Sequence, residues 1–163
     1  MNKKLFIYLF FACFGLSCEV CFVAFTNFIQ DRSFCNESIY ALTGKTYVWM
    51  IPIYMLIPFL GGKLFHLFQH QALWQRLMIY VSILYCIEFC SGFILEMLTG
   101  KCPWEYTSGW HIAGYIRLDY LPAWTLFVFI VEYLFLYLNK LMSHEKWTLG
   151  DRFHFFSFYW RRQ

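Results

Sequence analysis

Three glutamates stand where carboxylates are costly. Glu19, Glu88 and Glu132 each fall inside a long apolar run. An ionised carboxylate in such surroundings must be protonated, share a proton or meet a cation. At about 1.5 Å per residue of helix, Glu19 lies roughly 21 Å and Glu88 roughly 16 Å from one face of a bilayer, and Glu132 roughly 15 Å from the other. All three are expected near mid-depth, with no Lys or Arg at that level to pair with them. Two readings follow. In one, the acids are neutral and hydrogen-bonded to Ser17, Ser91, Tyr54 or a backbone carbonyl, gluing helices together. In the other they line a polar pocket for a proton, a metal ion or a cationic amine or headgroup, with Trp and Tyr faces adding cation–π attraction. Three such acids in one chain favour the pocket.

The elements that would position them are set by composition. The chain has 163 residues, of which 60% are hydrophobic, 24% aromatic and only 14% charged, too few charges to surround a soluble core. Runs at 5–29, 47–62, 77–98 and 121–142 are long enough, or nearly so, for the roughly 20 residues of helix that cross a bilayer. The expectation is an all-α membrane protein, a four-transmembrane-helix bundle forming a single membrane domain over 1–163. The second run carries Pro52 and Pro58 and is expected to be kinked or broken. With the N-terminus inside, nine Lys and Arg fall on inner segments and four on outer ones, which predicts that both termini are cytoplasmic. The opening 18 residues resemble a secretory leader, but the apolar run continues to Ile29 without a clean small-residue site, so an uncleaved first helix is expected.

The connections carry further signals. The segment at 61–76 is amphipathic and reads as an interfacial helix between the second and third spans. Its His66 and His70 have the spacing of a metal pair but no third ligand, so solvation is the expected role and neither metal nor cofactor is called for. The tail at 143–163 mixes aromatics with Arg and suits an interfacial anchor. A net charge of +3, carried at the ends of runs, excludes nucleic acid as a partner. Of seven cysteines, five lie in apolar runs, while Cys35 and Cys102 fall in the two outer connections, where an oxidising compartment could join them. The stretch CPWEYTSGW, residues 102–110, breaks the apolar pattern. Pro103 fixes the backbone, and Trp104 and Tyr106 read as headgroup anchors. With His111 and Asp119 the same residues could instead form a lid over the carboxylate pocket.

SCEVCF in the first run, YVWMIPIY in the second and residues 88–132 closely resemble the transmembrane protein 229 family. They also resemble its bacterial relatives, labelled type IV ABC-transporter membrane proteins. The resemblance covers about residues 8–138. In the family's order come Glu88, then Cys102, Pro103, Trp104, Glu105 and Tyr106, then Gly114, Pro122, Ala123 and Trp124, and finally Glu132. Glu19 matches the family's first-helix acid, and Trp49 and Tyr54 its second-helix aromatics. The family commonly has Asp where this chain has Glu105, and Pro52 interrupts the stretch matching the family's second helix. The resemblance implies a multi-pass membrane protein, in the inner or plasma membrane if bacterial. The chain lacks the phosphate-cradling pattern GxxxxGK[ST], so the transporter label does not extend to hydrolysing ATP in that way.

The expected binding residues are therefore Glu19, Glu88 and Glu132 with Tyr54, Trp104, Tyr106, His111 and Trp124. The leading expectation is a permease-like or binding protein for a small cation, a proton-coupled solute or a lipid-derived ligand. A membrane enzyme acting on lipid, with Glu88 or Glu105 and His111 as acid and base, is one alternative. A structural partner of itself or of a larger membrane complex is the other.

Overall fold

The computed structural model describes residues 2–30 and 43–142. Helices α1 (Lys3–Gln30), α2 (Met50–Leu67), α3 (Leu73–Thr99) and α4 (Leu121–Leu141) are each long and apolar enough to cross a membrane. Between α3 and α4 lie two short antiparallel strands, β1 (His111–Ile112) and β2 (Ile116–Arg117), and a 3-10 turn, Leu118–Tyr120. Cys35 and the tail at 143–163 lie outside the described residues.

The helix α2 differs from its expectation in both bounds. It starts at Met50, so Pro52 falls in the first turn, where a missing N–H removes no helical hydrogen bond, and the helix runs unbroken through Pro58. At the other end it continues to Leu67, and no separate interfacial helix follows. The reason is burial. Phe65, assigned by its amphipathic setting to the headgroup region, packs edge-on against Tyr80 of α3 and Phe135 of α4, with ring centroids 5.1 and 5.2 Å away. Gly61 leaves room for that ring. The turn to α3 is tight: Gln71 N–H donates to Phe68 O at 3.0 Å, and Ala72 N–H to Gln75 Oε1 at 3.3 Å. His66 ends on α2 while His70 lies past it, so the two do not share a helical face. Because α3 begins at Leu73, Arg76 belongs to its first turns and not to a connection.

Two compact units divide the chain between Phe59 and Leu60. In the first, Gly15 of α1 lies directly against the ring of Tyr54 on α2, an approach that a Cβ would block. In the second, α3 and α4 pack side by side, burying Val81, Val128, Val131 and Leu138.

The α3–α4 loop folds back along α3. Gly100, with φ of 78°, caps α3 in the left-handed conformation that favours glycine, its N–H donating to Glu96 O at 2.8 Å. Ala113 and Gly114, with φ of 51° and 76°, form the reversal between β1 and β2, closed by Tyr115 N–H to Ile112 O at 3.0 Å. Positive φ at both central residues gives the hairpin the twist its strands need.

Candidate functional site

Each buried glutamate has its own partners. In the first unit Glu19 accepts from Thr46 Oγ1 at 2.7 Å and from the Tyr54 hydroxyl at 3.2 Å. Both donors are neutral. Thr46 precedes α2 and Tyr54 lies one turn inside it, so the start of α2 brings both to one carboxylate.

Glu132 is the opposite case. Only 2% exposed, it faces Arg76 of α3, with Nε to Oε1 at 3.2 Å and Nη2 to Oε2 at 3.3 Å, and it accepts from the Tyr80 hydroxyl at 3.2 Å. The expectation that no cation reaches this acid is therefore corrected. Arg76 and Tyr80 are four residues apart and project from one face of α3 toward α4. The signal for Arg76 was hidden by placing the start of the third span at residue 77.

Glu88 is met by the loop. Its Oε1 accepts from the Tyr106 hydroxyl at 3.1 Å, and the Tyr106 ring stands edge-on to that of Tyr120, centroids 6.0 Å apart. Tyr85, one turn away on the same face of α3, donates to the carbonyl of Arg117 at 3.1 Å. Glu88 thus accepts from Tyr106, whose ring abuts Tyr120, with Tyr85 one turn away on α3. The guanidinium of this region, Arg117, is engaged elsewhere: it forks onto Asp119 at 2.9 and 3.0 Å and donates to Tyr120 Oη at 2.9 Å. That contact with Asp119 holds Arg117 above even its ordinary basic range.

The remaining expected residues have structural partners in the loop. Trp104 donates its indole N–H to Tyr115 O at 3.2 Å, and Tyr106 N–H reaches Gly114 O at 2.9 Å. Both side chains are part-buried on α3, so neither is the outward anchor expected from its position at the end of a run. His111 is exposed, and its Nδ1 accepts from Gly114 N–H at 3.3 Å. Among the described residues it pairs with no carboxylate, so an acid–base couple of His111 with Glu88 or Glu105 is not assembled. Trp124 stacks edge-on with Phe127 at 5.8 Å, and its indole nitrogen is buried with no hydrogen-bond partner among the described residues.

Cys102 is buried where Gly92 of α3 leaves a gap, a Cβ there falling 3.3 Å from its Sγ. Burial chiefly, with Glu96, Glu105 and Glu88 around it, raises the thiol and keeps it protonated. Its proposed disulfide partner Cys35 is outside the described residues. Tyr115, overlooked in the sequence, donates to Glu96, and that bond pushes its hydroxyl up to about 12. No three His, Cys, Asp or Glu side chains among the described residues converge to hold a metal.

No protein-family model matches the chain, and no solved structure matches it.

Proposed function

We propose that this chain is a multi-pass membrane protein of permease-like or binding type, holding a small organic cation or cationic headgroup against Glu88. One observation carries the reading: a carboxylate inside a membrane-length helix that accepts from the phenol of Tyr106, whose ring stands against Tyr120, with the nearby Arg117 forked onto Asp119. An acid flanked by aromatic faces attracts ammonium groups both by charge and by cation–π contact. Glu132 is set apart from this site because Arg76 already compensates it. The resemblance to the transmembrane protein 229 family agrees with a multi-pass protein, and the excess of basic residues on inner segments supports both termini being cytoplasmic. The two hydroxyl donors on Glu19 leave it as a second acid of the same type in the first unit.

A scaffold reading is favoured by a different observation, the Arg76–Glu132–Tyr80 cluster, which ties α3 to α4 without needing a ligand. Thermal unfolding of the purified protein with tetramethylammonium, choline, a primary amine, Na⁺ and K⁺ separates the two. A ligand of the native state at a hundredfold its Kd stabilises by about 2.7 kcal/mol. The expected result is a rise of several degrees in Tm with one class of organic cation, lost in Glu88→Gln. No shift with any cation, or the same shift in Glu88→Gln, would leave the scaffold.

A further inference from the structure

The α3–α4 loop does not stand above α3. It lies along it. Its contacts run from Glu96, bonded by Tyr115, through Gly92, beside Cys102 and Trp104, to Glu88 with Tyr106 and Tyr85 with Arg117. Those contacts run over twelve residues of helix, Tyr85 to Glu96, or about 16 Å. Over the loop-side end of the same stretch α3 turns large apolar side chains outward: Phe93, Ile94, Met97 at 73% exposed and Leu98 at 77%. In a membrane-spanning helix these face acyl chains, which puts the adjacent loop at their depth. At 27 residues α3 is about 40 Å long, enough to cross a core of about 30 Å with a tilt and still flank the loop.

Backbone at that depth must be satisfied within the protein. Here several of its groups are paired. Leu118 N–H donates to Trp110 O at 2.7 Å, Tyr106 and Tyr115 donate to Gly114 and Ile112, Gly114 donates to His111, and the carbonyls of Tyr115 and Arg117 accept from Trp104 and Tyr85. Among the large apolar side chains of the loop, Trp110, 78% exposed, and Ile112 are turned outward, beside the exposed polar residues Thr107, Ser108 and His111. Ile112 lies in β1 and Trp110 just before it, in the bend that follows Gly109. Leu118, bonded to Trp110 through the backbone, and Leu121 at the start of α4 are exposed as well, so the apolar surface continues onto a membrane-length helix. The presentation is rigid. Gly109 rests on the Arg117 guanidinium so closely that a Cβ would fall 2.6 Å from its Nε, and Asp119 fixes that guanidinium.

We infer that the hairpin of the α3–α4 loop is seated in the headgroup–acyl boundary of the bilayer, with Trp110 and Ile112 inserted into lipid as its anchor. An amphipathic indole is suited to that boundary. The anchor of this loop is thus Trp110, while Trp104 and Tyr106 face α3. The loop then shelters Glu88 from the side, so a ligand reaching that acid would pass a surface bathed in lipid headgroups. The seating of Trp110 itself stands whether or not Glu88 binds a cation.

Quenching of tryptophan fluorescence tests it. The protein and its Trp110→Phe variant are reconstituted in phosphatidylcholine vesicles, with flotation confirming that both insert. Bromine on acyl carbons 6 and 7 quenches from within the bilayer, and iodide quenches from water. The expected result is that Trp110→Phe removes at least a one-seventh share of the bromolipid quenching, Trp110 being one of seven tryptophans, and leaves iodide quenching unchanged. If the variant loses iodide quenching instead, Trp110 stands in water and the inference fails. If it loses neither, protein covers Trp110, and the inference fails equally.

Discussion

Glu132 meets a full counter-charge in Arg76, and that pairing has a measurable consequence. Replacing Glu132 by Gln leaves the 4%-exposed Arg76 guanidinium buried without its anion, a change that costs on the order of 3 kcal/mol or more. Glu19→Gln and Glu88→Gln keep an acceptor for their neutral donors and should each cost less than about 1 kcal/mol. Arg76→Met combined with Glu132→Leu removes both charges and should recover most of the stability lost by Glu132→Gln. Unfolding free energies of the parent, Glu132→Gln and the double variant in mixed micelles measure this. If Glu132→Gln unfolds like the parent protein, the pair is not holding α3 to α4. The acids themselves were legible in the sequence because each interrupts an apolar run. Their partners were not, because Arg76 lies 56 residues from Glu132 and the helix that carries it starts earlier than its apolar stretch.

At the scale of elements, the long helices could be read from run length alone, whereas the α3–α4 loop could not. Strands of two residues show no alternation, and the reversal is Ala113-Gly114, not the Asn-Gly that signals a hairpin. Aromatics at the end of a run look the same whether they face lipid, as we infer for Trp110, or pack on a helix, as Trp104 and Tyr106 do. What seats the loop is Gly92: a Cβ there would lie 3.1 Å from the Tyr115 ring and 3.3 Å from Cys102 Sγ. Gly92→Leu should therefore lever the loop off α3 and speed tryptic cleavage after Lys101 and Arg117 by tenfold or more. Gly62→Ala, whose Cβ meets Phe135 at an ordinary 3.5 Å, should leave cleavage unchanged. Equal cleavage of both variants and the parent would show that the loop does not depend on that gap.

Among the described residues, four helices are apolar enough to cross a membrane, and within each only about a fifth of the residues are buried by the protein itself, as expected where lipid is the surrounding medium. Composition alone made that legible. The same composition hides the site, since a glutamate in an apolar run reads alike whether it is compensated by a distant arginine, held by loop hydroxyls or open to a ligand. Of the three, Glu88 combines an aromatic setting with a phenol donor, Tyr106, and a nearby arginine forked onto Asp119. The most direct test is equilibrium binding of radiolabelled tetramethylammonium to the purified protein, beside its Glu88→Gln and Glu19→Gln variants. Saturable binding by the parent is expected, competed by other organic cations, kept within about threefold in Glu19→Gln and weakened at least tenfold, or about 1.4 kcal/mol, in Glu88→Gln. Binding by Glu88→Gln as tight as the parent's, or no saturable binding by the parent, would contradict it.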